Sequence, residues 1–343
     1  VIFCCGLMAV PAVAADAARR TDLIRDVPLA GDLAAPANGQ TLYVLAESDG
    51  SVVAIDPFEP TKRWVAVAAP DKASGVNPVA IASIDTGTLA ILCRGEKGWS
   101  IRSHRVQPGV TSAPSEAVQT VSVGTAAADA DTAQAAPSRG RPAMAVSPSR
   151  DWLTVAGIEP PTAPVLRAPI AGARIGAVST RSAPQLPAGV RPVAVTVSAA
   201  DEFVLFCTDP ATGETASVFL SFFRPPHPRR LLHIDTGLVR IHDAAFCRGD
   251  GTLWVVGGDP GGSATSPEGL WRIDAVLRQG RQEALATLVA RLDGAVSLAC
   301  LSERAIVVTH GRPSRLVSRI DPLHDASPES DTTNGEKPSG GTP

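Results

Sequence analysis

The sequence predicts an all-β fold, a six-bladed β-propeller closed by an N-terminal strand that completes the C-terminal blade. Three observations predict it. One phrase (apolar run, polar turn, apolar run, polar loop, two more strand-like runs) returns six times along the 343 residues. Its period of roughly 45–50 residues is that of a four-stranded blade. The runs are crowded with Val, Ile and Thr, as pleated half-buried surfaces favour, while the 30 Gly and 30 Pro fall mostly between them. Finally, the last phrase lacks its fourth strand, and a spare strand-like run stands before the first.

The elements follow in order, strands a to d running outward from the axis. Strands a and b are clearest in "RPAMAVSPSRDWLTVAG" from Arg141, "VRPVAVTVSAADEFVLFCTD" from Val190 and "IHDAAFCRGDGTLWVVGGD" from Ile241. They recur in "GDLAAPANGQTLYVLAESDG" from Gly31, "VNPVAIASIDTGTLAILCRG" from Val76 and "GAVSLACLSERAIVVTHG" from Gly294. Strand c is expected at "GSVVAID" from Gly50, "GWSIRSHRV" from Gly98, "APVLRAPI" from Ala163, "ASVFLSFF" from Ala216, "GLWRIDAVL" from Gly269 and "RLVSRID" from Arg315. Strand d is expected at "KRWVAVAA" from Lys62, "AVQTVSVG" from Ala117, "IGAVSTRS" from Ile175, "RRLLHID" from Arg229 and "ALATLVARL" from Ala284. The spare run "DLIRDVPLAG" from Asp22 supplies the missing sixth, which covers an otherwise open sheet edge.

The propeller spans residues 22–323. Residues 1–14, "VIFCCGLMAVPAVA", read as the apolar region of a signal peptide with an A-x-A cleavage site and a truncated start. That run is too short for a membrane span. Residues 324–343 have almost no apolar side chains and read as a disordered tail or linker. A periplasmic or secreted monomer is therefore expected.

A net charge of −3 with no basic cluster longer than a pair leaves nucleic-acid binding without an electrostatic footprint. Cys93, Cys207, Cys247 and Cys300 form no C-x-x-C, and all four are expected as reduced thiols. The six His show no paired metal spacing, and no G-x-S-x-G occurs, so no metal, cofactor or catalytic set is expected.

The a–b unit carries a family resemblance. A proline opens strand a, a polar turn follows (Ser147–Arg150, or Ala37–Gly39), and then comes "TLYVLA" from Thr41. This resembles the bacterial secreted propellers of the YVTN and lactonase-like group and, more loosely, the WD40 class, whose Gly-His and Trp-Asp dipeptides are missing here. The resemblance implies a fold rather than an activity.

Propellers bind ligands where the blade loops converge on the central channel. Just before or at the opening of strand a stand Ala30, Asn77, Arg141, Arg191, His242 and Gly294. Asn77, Arg141, Arg191 and His242 are the candidate ligand-binding set, since guanidinium groups grip an anion in a bidentate way. The same positions also read as solvated turn residues. After strand b come Glu47, Arg94, Glu159, Asp209, Asp259 and His310, better read as loop groups than as a metal site. The function expected is a non-catalytic scaffold binding a protein or a small anionic ligand at the channel mouth. The alternatives are a lactonase-like hydrolase and the propeller portion of a larger periplasmic redox protein.

Overall fold

The computed structural model describes residues 18–25, 30–36, 38–46, 48–124, 142–158, 165–179, 191–197, 203–208, 215–222, 230–234, 238, 240–247, 252–258, 267–274, 285–302, 305–311 and 315–322. The expected signal peptide and the expected tail lie outside them.

The chain opens with β1 (Arg19–Arg25) and then lays down antiparallel sheets in sequence order. The first holds β2 (Ala30–Ala34), β3 (Leu42–Ala46), β4 (Val52–Ile55) and β5 (Arg63–Val67). The second holds β6 (Asn77–Ser83), β7 (Thr88–Gly95), β8 (Gly98–Arg105) and β9 (Gln119–Gly124). The third holds β10 (Ala143–Val146), β11 (Trp152–Ala156), β12 (Val165–Ala171) and β13 (Arg174–Ile175). The fourth holds β14 (Arg191–Val197), β15 (Phe203–Thr208), β16 (Thr215–Phe222) and β17 (Arg230–Ile234). The fifth holds β18 (Ile241–Phe246), β19 (Leu253–Gly257), β20 (Gly269–Asp274) and β21 (Leu285–Arg291). The last holds β22 (Ala295–Ser302), β23 (Ala305–His310) and β24 (Leu316–Asp321), with β1 paired to the outer side of β24. That pairing runs from Arg19 opposite Asp321 to Arg25 opposite Leu316.

The architecture is a β-propeller, but with five full blades among the described residues rather than the six expected. Five have four strands of at least four residues, whereas β13 in the third sheet has only two. The expected outer strand from Ile175 to Ser182 is corrected accordingly. Pro169 in β12 has no N–H to donate to an outer ladder. Beyond Ile175 the chain kinks: Gly176 N–H donates to Pro169 O, and Arg167 exchanges backbone hydrogen bonds with Ser179 instead. Gln119 of the neighbouring blade takes over part of the pairing, its Oε1 accepting from Ile175 N–H at 2.9 Å.

The apolar clusters lie between blades rather than within them. One joins Leu92 and Ile101 to Met144, Leu153 and Ile170; another joins Leu42, Val44 and Ile55 to Val307 and Val317. Each sheet therefore needs both faces apolar, which is why β3, β19 and β23 are buried along their whole length. The strands β2, β6, β10, β14, β18 and β22 touch in cyclic order and line the central channel.

Two cysteine expectations need revision. Cys247 and Cys300 form a disulfide with Cα atoms 5.5 Å apart, within the range such bonds require. Inner strands of neighbouring blades run side by side at the axis, closer than expected for residues on separate sheets. Cys93 is a buried free thiol, pushed up to about 11 by burial.

Candidate functional site: an acid pair in the channel

The site begins with an irregularity shared by most inner strands. In β2, β6, β14, β18 and β22 the pairing with strand b slips near the strand start. A β-bulge adds a residue and re-aims the side chains beside it. Residues just past the slip are Ala80, Ala194, Asp243 and Ser297, and in β2 the unpaired stretch holds Asp32. Polar groups at this level therefore come from β18, β22 and β2, three neighbours around the channel. Residues as far apart in sequence as Asp32 and Ser297 (265 positions) are joined by a hydrogen bond.

The geometry is specific. Asp32 Oδ2 accepts the Ile81 N–H of the next blade at 2.8 Å, and Oδ1 accepts Leu33 N–H at 3.0 Å. Asp243 repeats the pattern two seams away: Oδ2 accepts Leu298 N–H at 2.9 Å and Oδ1 accepts Ala244 N–H at 2.8 Å. Between them stands the Ser297 hydroxyl, 3.1 Å from Asp32 Oδ1 and 2.5 Å from Asp243 Oδ2. Burial, and then the Asp243 charge, push the Asp32 carboxyl up to about 7, against the pull of its backbone N–H donors.

Both carboxyl groups line a cavity of about 370 Å³ that extends along the inner strands to Pro36, Ser83, Pro148 and Leu301. That volume suits a small organic molecule. Leu33, Ile81, Met144, Val195, Phe246 and Leu298 also line it, while polar atoms make up the larger share of its wall. Asp32 and Asp243 are its only charged lining groups among the described residues. A divalent cation needs several converging oxygen ligands, and no group of three His, Cys, Asp or Glu side chains forms one among the described residues.

The candidates read from sequence lie elsewhere. Asn77 is exposed at the start of β6, opposite Arg94. Arg141 lies outside the described residues, and Arg191 is the first residue of β14, opposite Thr208. His242 is exposed in β18, its Nε2 3.9 Å from Glu268 Oε1. The strand register aligns this set differently, because Ile241 pairs where Pro78 and Pro192 do. The residue matching Asn77 and Arg191 is therefore Arg240, and His242 is the extra residue of its bulge. β6 and β18 stand on opposite sides of the ring, so Asn77 and His242 belong to opposite blades. His310 is interior, bonded through Nδ1 to Asp293 O at 3.0 Å and through Nε2 to Ser318 Oγ at 2.7 Å.

Sequence reasoning missed Asp32, Asp243 and Ser297. The available signal was a carboxylate inside an otherwise apolar strand a, in "GDLAA" and "HDAAF".

No protein-family profile and no curated protein matches the chain. Solved structures do. A gluconolactonase from Xanthomonas campestris is similar at 15% identity and a TM-score of 0.53, over 89% of each chain. The major allergen of Malassezia sympodialis is similar at 15% identity and a TM-score of 0.58, over 92% of this chain and 97% of that one. A luciferin-regenerating enzyme is similar at 12% identity and a TM-score of 0.53, over 89% of this chain and 96% of that one. At these identities the likeness is one of fold: the chain is a β-propeller whose structural neighbours include lactonase-like enzymes.

Proposed function

We propose that the protein is a lactonase-like hydrolase acting on a small uncharged ester or lactone in the central channel. The observation that carries this is the acid pair on the cavity wall, one carboxyl raised to about 7 and the other held by three hydrogen-bond donors. A group that titrates near the working pH suits general acid–base catalysis. Asp243, as the carboxylate, takes a proton from water as that water attacks the carbonyl carbon. Asp32, as the acid, gives its proton to the departing alkoxide. A lactone gives a hydroxy acid and an ester gives an acid and an alcohol; the acid ionises, and its carboxylate is repelled by the pair and leaves.

The fold likeness to gluconolactonases favours this reading over a non-catalytic scaffold. One observation favours the scaffold: Asp32 and Asp243 both reach across a seam to a backbone N–H of the next blade, as a purely structural latch does. Asn77, Arg141, Arg191 and His242 are then the proposed contacts for an anionic ligand at the mouth. A disulfide between inner strands supports an oxidising, extracytoplasmic compartment under either reading. The ring is proposed to be closed by β1, the outer strand beside β24.

A pH-indicator assay over γ- and δ-lactones and aryl esters tests the hydrolase. Turnover by the wild type is expected, with a loss of about 100-fold or more in Asp32→Asn and Asp243→Asn proteins that still fold. Absence of turnover across the panel, or full activity in Asp32→Asn, sinks the hydrolase and leaves the scaffold.

A further inference from the structure

We infer that Ser297 is a positioning residue that joins Asp32 and Asp243 into one proton-sharing unit, fixing which of the two carboxyl groups holds the shared proton. The inference rests on the acid–base reading above for its catalytic meaning, though its test does not.

A hydroxyl has one proton to give and lone pairs to receive. Ser297 Oγ lies 2.5 Å from Asp243 Oδ2 and 3.1 Å from Asp32 Oδ1. Its proton points along the shorter contact, to Asp243. That oxygen also accepts Leu298 N–H, and the other carboxylate oxygen accepts Ala244 N–H. Three donors therefore converge on Asp243, an arrangement that favours a carboxylate. Asp32 Oδ1 is left facing the hydroxyl oxygen, lone pair to lone pair, an arrangement that repels unless a proton lies between. Asp32 supplies it, donating to Ser297 Oγ while its oxygens accept only Leu33 and Ile81 N–H.

The result is a chain from the Asp32 acid through the Ser297 hydroxyl to the Asp243 carboxylate. Moving both protons one place along it transfers the negative charge from Asp243 to Asp32. The hydroxyl ends as it began, and no atom is gained or lost. After a turnover the proton lies on Asp243 and the charge on Asp32, and the reverse shift, from Asp243 through the hydroxyl to Asp32, restores the starting pair. Groups from the neighbouring strands face the pair. From β6 comes the Ile81 N–H, from β22 come Ser297 and the Leu298 N–H, and among the described residues no further charged side chain lines the cavity.

The test follows the carboxyl groups themselves. In full-length protein labelled with 13C at the Asp carboxyl carbons, NMR should show the pair titrating in two separated steps, the upper one near neutrality. Ser297→Ala removes the acceptor for the Asp32 acid and a donor to Asp243. The steps should then draw together by at least about one pH unit, and Ser297→Thr, which keeps the hydroxyl, should restore them. A folded Ser297→Ala protein with both steps unmoved would overturn the inference. Should Ser297→Ala not fold, Asp243→Asn carries the test. The Asp32 step must then fall by at least about one pH unit, and an unmoved step overturns the sharing. Absence of lactone turnover with the titration as described refutes the hydrolase alone.

Discussion

Removing the Cys247–Cys300 disulfide is the most direct challenge to the seam between β18 and β22. The bond joins residues 53 positions apart. In the chain-entropy account a loop of that length restricts the unfolded chain by about 14 cal/mol/K, or about 4 kcal/mol at 25 °C. The native side adds packing, because Cys247 is buried with Trp254, Val256 and Leu298 in the apolar cluster of this seam. Cys→Ala at both positions suits the test better than Cys→Ser, which would bury two hydroxyls. Urea unfolding followed by tryptophan fluorescence reads the seam directly through Trp254. With denaturant slopes of a few kcal/mol/M, the midpoint should fall by about 1–2 M. The oxidised and reduced wild-type proteins should differ by the same amount. Non-reducing peptide mapping must show the two cysteines linked. A linked peptide with coincident unfolding curves refutes the stability argument, and two free thiols refute the bond.

Three further outcomes are expected. Truncation through Arg25 removes β1, uncovers the β24 edge and strips the burial of Leu23 and Ile24. It should cost about 3–6 kcal/mol, and an unchanged melting temperature counts against β1 as the closing strand. Asp32 titrates in the fold at about 7, above its ordinary value of 3.8, so the folded state holds a proton that the unfolded chain releases. Its stabilising contribution is present below 3.8 and is lost as pH rises through about 7. Denaturation at pH 5 and pH 8 should therefore show a decline that Asp32→Asn abolishes. His310 has the opposite sign, since burial lowers its value from 6.5 and keeps it neutral. Its contribution is present above 6.5 and lost as pH falls below that. Replacement by Ala, which orphans Ser318 Oγ, should cost about 1–3 kcal/mol in a neutral-pH melt.

The acid pair shows how one pattern can serve two purposes. Thr196 Oγ1 in β14 also accepts a backbone N–H from the next blade, that of Phe246 at 3.2 Å. Polar side chains on inner strands thus stitch several seams. Among the described residues, only Asp32 and Asp243 do so with a charge at stake and a shared hydroxyl between them.

The sequence by itself determined the class of fold and most strand positions. A polar turn between two apolar runs is a local signal, and repetition gives it a period that chance does not supply. Strand d of the third blade was overstated because the apolar run after Ile175 looks like any other. The fault lies one strand inward, where Pro169 withholds an N–H. The site was less legible. Placing His242 beside Asn77 and Arg191 misjudged the register by two residues, since the slip between Ile241 and Asp243 matches those after Pro78 and Pro192. A bulge is a pairing irregularity between two strands, so it leaves no fixed mark in either one. Only the tertiary structure decided that the first, fifth and last sheets meet at one level of the channel. Asp32, Asp243 and Ser297 become neighbours there because a ring brings the start of the chain beside its end. The cysteine pair has the same cause. Spacing along the chain says nothing about the distance between strands that converge on an axis, and that convergence sets the 5.5 Å between Cys247 and Cys300.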